Sequence, residues 1–166
     1  MSSDVANSSP TADREIFTTR LIDAPRELVF AAFTRPEHLD KWWDPDGFRN
    51  TTTAFEFRPG GTWLFTMHGP DGVDYANCIV FEEIVPNKRL SYAHSGGEDD
   101  HIQFKTTIDF LDERGKTRIL MRAVFPSAEM RDFVAREVGA VEGAEQHLGN
   151  LAAYVAQSET LVQTLQ

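Results

Sequence analysis

A chain of 166 residues that is 41% hydrophobic, with 12 Phe and 3 Trp, has the length of one domain and enough apolar side chains for a substantial core. Its 26 acidic residues against 16 basic ones leave a net charge of -10, which repels phosphate backbones and anionic headgroups, so neither nucleic acid nor a membrane is an expected partner. The single Cys78 excludes an internal disulfide, and no apolar run approaches the roughly 20 residues of a spanning helix, so a soluble, cytoplasmic protein is expected.

Residues 1–13 are rich in Ser, Asp, Asn and Ala without periodicity and read as a disordered tail ahead of one domain over 14–157, with 158–166 as a C-terminal tail. Glu15 to Asp23 mixes alternating apolar residues with Thr18 and Thr19 and predicts a first strand. Asp23-Ala24-Pro25 breaks it, with Asp23 as the expected cap of a short helix whose Leu28, Val29, Ala32 and Phe33 share one face. Pro36 opens a second short helix through Trp42-Trp43, which Asp44-Pro45-Asp46-Gly47 ends.

Hairpin punctuation follows. Phe55-Glu56-Phe57 and Trp63-Leu64-Phe65 flank the turn Pro59-Gly60-Gly61, and Gly69-Pro70-Asp71-Gly72 is a second turn. Val73 to Ile84, Leu90 to His94, Ile102 to Leu111 and Thr117 to Phe125 complete the strands, and as sequential neighbours they predict an antiparallel sheet. After Pro126, Ser127 is a fair N-cap for one long helix to about Gln157, on the order of 45 Å at the standard rise, with Val134, Val138, Val141, Ala144, Leu148, Leu151 and Val155 on its apolar face. The fold class is therefore α+β, a curved antiparallel sheet around a long C-terminal helix.

Catalytic and metal-binding patterns are weak. His38, His68, His94, His101 and His147 lie in different elements without ligand spacing, and Glu98-Asp99-Asp100-His101 reads as a solvated hairpin tip, so no metal or other cofactor is expected. Cys78 has no basic neighbour, Glu82 and Glu83 point to opposite sheet faces, and Gly60-Gly61 lacks phosphate-loop spacing. The sheet faces say more. Trp63, Phe65 and Met67 share one face, Tyr75 and Asn77 another, Tyr92 and His94 a third, and Phe104 and Thr106 a fourth. Together with Trp42, Trp43, Ala144, His147 and Leu148 from the helices they are the candidate lining of a ligand pocket, because so many polar tips among aromatic groups suit a cavity better than a dry core.

The order of elements and several motifs resemble the Hsp90 ATPase activator homologue (AHSA1-like) branch of the START and polyketide cyclase superfamily. The carriers are the stretch from Asp23 to Thr34, Trp42-Trp43, Phe55 to Gly61, Gly69-Pro70-Asp71-Gly72, and Glu83 to Leu90. The resemblance implies the helix-grip, Bet v 1-like fold, with a deep cavity between sheet and long helix that takes an apolar or aromatic small molecule, and no universal catalytic residue. Many members carry Gly-Trp in the last helix ahead of two leucines, where this chain has Gly143-Ala144 before Leu148 and Leu151. Two other functions stay open: an enzyme of the cyclase or hydrolase kind, with His94 or His147 as base and Tyr75 or Tyr92 as orienting donor, and a co-chaperone-like module acting on a chaperone ATPase. A homodimer is a further open partner.

Overall fold

The computed structural model describes residues 11–95 and 104–157; the hairpin tip Glu98-Asp99-Asp100-His101 lies outside them. After a 3-10 turn at Ala12–Arg14 comes β1 (Glu15–Ile22), whose Ile16, Thr18 and Ile22 are buried while Phe17 and Leu21 face out. Helix α1 (Arg26–Ala31) starts on Pro25, whose carbonyl accepts the N–H groups of Leu28 and Val29. Asp23, the expected cap, stands two residues too early, and no side chain caps this helix. Helix α2 (Pro36–Trp42) has Pro36 in its first turn, and its Trp42 indole donates to the Ala32 carbonyl at 3.1 Å, which ties the two helices together.

The strands that follow are β2 (Arg49–Phe55), β3 (Thr62–His68), β4 (Asp74–Val85), β5 (Arg89–Ser95), β6 (Phe104–Glu113) and β7 (Lys116–Val124). Strand β2 starts six residues ahead of the expected Phe55, because Arg49 to Ala54 holds three threonines and no apolar alternation. It is an edge strand, where a polar face is normal. The turn between β2 and β3 needs both its glycines: Gly60 has φ +82, and a Cβ on Gly61 would collide with the Glu56 carbonyl. Between β6 and β7, Arg114 (φ 57) and Gly115 (φ 84) make the two-residue left-handed turn that matches the twist of a hairpin.

The strand order is β1-β7-β6-β5-β4-β3-β2, antiparallel throughout. Consecutive hairpins account for β2 to β7, whereas β1 pairs with β7 across the length of the chain, from Glu15↔Val124 to Ile22↔Thr117.

Past Pro126, Ser127 caps α3 (Ala128–Phe133) by accepting from the Met130 N–H at 3.1 Å. The single long helix expected from Ser127 does not form. A π turn at Val134–Val138 ends at Gly139, whose φ of 70 is left-handed, and α4 starts afresh over Ala140–Gln157. Leu148, Leu151 and Val155 of α4 are buried, but Val141 is exposed. Among the described residues no helix is long and apolar enough to cross a membrane.

The core between sheet and helices is aromatic. Phe33 meets Trp42 and Phe110 edge-on at 4.9 and 5.6 Å, and Trp63 stacks on Phe65 at 4.0 Å. Each such pair contributes about 0.5 to 1.5 kcal/mol beyond its area burial.

Candidate functional site

Directly opposed residues of antiparallel strands share a face, so register decides which side chains meet under α4. One row runs Tyr92↔Thr106↔Ala123↔Ile16 across β5, β6, β7 and β1. The neighbouring row sets Trp63 beside Ile79, Ile79 beside His94, and His94 beside Phe104. Where these rows pass beneath the first turns of α4, a chamber of about 330 Å³ remains. Its sheet side is Ile16, Met67, Tyr92, His94, Phe104, Thr106, Met121, Ala123 and Phe125; its helix side is Gly139, Ala140, Gly143, Ala144 and His147, with Trp43 and Pro45 at the end of α2. Among the described residues no Lys, Arg, Asp or Glu contributes to this wall.

The fourteen residues singled out from sequence divide by depth. Trp43, Met67, Tyr92, His94, Phe104, Thr106, Ala144 and His147 line the chamber. Trp42, Trp63, Phe65 and Leu148 lie in the packed core, outside that lining. Asn77 stands one step back and holds His94, whose Nε2 bonds the Asn77 amide oxygen at 2.9 Å. Tyr75 lies at the open end of the sheet, 44% exposed and against Phe48 at 6.0 Å between centroids, because its partner Met67 is near the last pair of β3 and β4.

The sequence does not single out the wall contributed by β1 and β7, or Gly139, Ala140 and Gly143 at the start of α4. Nor does it single out what positions Trp43. Three side chains of α4 hold the loop after α2 by its backbone: His147 Nδ1 donates to the Trp43 carbonyl at 3.1 Å, Asn150 donates to the Asp44 carbonyl at 3.1 Å, and Gln146 accepts from the Asp46 N–H at 3.2 Å. The only available hint was that polar residues interrupt the apolar side of that helix at i, i+1 and i+4.

His147 is sandwiched by indoles, 4.9 Å from Trp42 and 4.5 Å from Trp43 between ring centroids. Burial among these rings lowers its pKa to about 4, with the hydrogen bond to the Trp43 carbonyl acting the other way. The ring is therefore neutral at pH 7. A carbonyl can only accept, so the proton sits on Nδ1 and Nε2 keeps its lone pair. Across the chamber, burial raises the pKa of the Tyr92 phenol, which shares a hydrogen bond with the Thr106 hydroxyl.

A second polar group lies behind Trp43. Asp40 Oδ1 accepts from Asn50 at 2.7 Å and from Thr52 at 2.9 Å, and Thr52 Oγ1 in turn accepts from the Trp63 indole at 3.0 Å. Both carboxylate oxygens of Asp44, and the Asn50 amide oxygen, are buried without a hydrogen-bond partner. Burial first, and the charge of Asp40 second, push the Asp44 carboxyl up to about 7. Among the described residues no three His, Cys, Asp or Glu side chains converge as metal ligands. His68 is held between Asp74 and Thr51 at 2.8 Å each, and His38 bonds the Tyr154 hydroxyl at 2.8 Å.

The chain matches the family described as Activator of Hsp90 ATPase homolog 1-like protein over residues 23–156. No curated protein matches it. Solved structures with the same fold include a protein of Rhodobacter sphaeroides, 26% identical, covering 89% of this chain and 95% of that one with a TM-score of 0.77. A protein of Chromobacterium violaceum is 25% identical over 87% of this chain and 99% of that one, TM-score 0.76. An Arthrobacter aurescens protein solved by NMR superposes with a TM-score of 0.82 over 93% and 92% of the two chains, at 22% identity.

Proposed function

The chain belongs to the Activator of Hsp90 ATPase homolog 1-like family, and we propose that it binds one apolar or aromatic small molecule in the chamber between its sheet and α4. The observation that carries this reading is the chamber itself. It has about 330 Å³ of space walled by aromatic and aliphatic groups, with a few polar tips and no charged side chain among the described residues, which is the make-up of a small-ligand pocket. A filled core of the same composition would leave no such space. The free Cys78 fits a reducing, cytoplasmic setting.

The enzyme reading has less support. A general base works best with a pKa near the working pH, and His147, at about 4, is a weak one; Tyr75, one of the two orienting donors, stands outside the chamber. Action on a chaperone ATPase is what the family description states of its namesake, and the exposed apolar residues here, such as Phe17, Leu64 and Phe133, are spread over separate elements. A thermal-shift panel of aromatic and aliphatic compounds tests the binding reading. A true ligand at a hundredfold excess over its Kd stabilises the fold by about 2.7 kcal/mol. A panel without any shift, alongside stimulated turnover of a chaperone ATPase, would replace this reading with the co-chaperone one.

A further inference from the structure

Resting on that reading, we propose that the chamber selects uncharged aromatic hydroxyl compounds, with the Nε2 lone pair of His147 accepting the hydrogen bond from the ligand O–H. The Trp43 carbonyl fixes the proton of the neutral His147 ring on Nδ1 at 3.1 Å, so the ring offers its other nitrogen as an acceptor. The other polar groups of the wall are already engaged: Tyr92 with Thr106, and His94 with Asn77 at 2.9 Å. His147 thus gives this wall a polar group of one fixed sense among apolar neighbours.

Charge completes the selection. A carboxylate entering this space finds no cationic side chain among the described lining residues, within a protein of net charge -10, and an ionised group buried without a partner is costly. A phenol is neutral at pH 7, loses little on entering, and pairs with His147. A purely apolar ring enters too, but leaves the imidazole lone pair unsatisfied.

Four probes of one skeleton separate the contributions at pH 7: naphthalene, 2-naphthol, 2-methoxynaphthalene and 2-naphthoate. The expected order is 2-naphthol tighter than naphthalene and the ether by about fivefold to tenfold, the range of one net hydrogen bond, and 2-naphthoate weakest. In ¹⁵N spectra of the imidazoles, the unprotonated nitrogen of His147 should shift on adding 2-naphthol and stay unmoved on adding the ether. His147→Phe should erase the preference for the naphthol while still binding naphthalene, and His147→Gln, which keeps an acceptor, should restore part of it. Equal affinity for naphthol and ether, a still nitrogen resonance, or tighter binding of the naphthoate overturns the phenol selection and leaves the binding function standing. Failure of all four probes to bind overturns both.

Discussion

Asp44 is the residue at which folding and ionisation conflict most directly. Its two oxygens are buried without donors, and its carboxyl titrates near 7 in place of the usual 3.8. A folded-state pKa raised above the unfolded one means that the folded chain holds a proton that the unfolded chain releases. The contribution is therefore fully present below about 4 and lost as pH rises through about 7. His147 has the opposite sign: lowered from 6.5 to about 4, it contributes fully above 6.5 and its contribution is lost as pH falls toward 4. The two slopes oppose each other over most of that window, so the parent conceals both. Asp44→Asn should reveal the His147 slope. We expect its unfolding midpoint to stand closest to the parent's at the acid end of the range and to exceed it increasingly up to pH 8.5, by the few degrees that correspond to relieving about 1 to 3 kcal/mol of unpaired buried charge. Midpoints measured from pH 5 to 8.5 check this, and a variant less stable than the parent at pH 8.5 would show that the carboxylate has a partner there.

At the scale of elements, the break at Gly139 decides the shape of the chamber roof. Val134, Val138, Val141 and Ala144 keep helical spacing across Gly139 and so predict one helix from Ser127 to Gln157, because periodicity alone does not register a left-handed residue. Gly139 itself was the available signal, as a glycine at the C′ position of a helix end. A Cβ there would meet nothing closer than the Glu142 carboxylate at 3.9 Å, so the cost of Gly139→Ala is backbone strain, about 1 to 2 kcal/mol. We expect the midpoint to fall by roughly 3 to 6 °C. Affinity for chamber ligands should fall as well, since Gly139, Ala140, Gly143 and Ala144 form one roof that moves if α3 and α4 straighten into each other. An unchanged midpoint with unchanged affinity would make the break incidental.

For the whole molecule, what was legible in the sequence was what is local. Turns such as Gly69 to Gly72, and the alternation of β3, β5 and β6, placed Met67, Tyr92, His94, Phe104 and Thr106 on one inner surface. The pairing of β1 with β7 was not legible, because it joins residues about a hundred positions apart, and with it went the Ile16, Met121 and Ala123 side of the wall. Nor does a strand's alternation tell a core position from a lining one: Trp63 and Met67 share a face, yet the first is packed and the second borders space. Ala144 tests that distinction for the molecule as a whole. It stands in the roof where the family resemblance implies an indole, and it is half-buried and lines the chamber. If the space stays open in solution, Ala144→Trp fills it, leaves the midpoint unchanged or higher, and abolishes binding of bulky ligands while His147 is untouched. If the wall closes on itself in solution, the indole overpacks the core instead, at about 1 to 3 kcal/mol and a midpoint lower by several degrees. Midpoint and affinity measured together on this variant separate the two cases, and a strongly destabilised Ala144→Trp that still binds the parent's ligand would remove Ala144 from the chamber altogether.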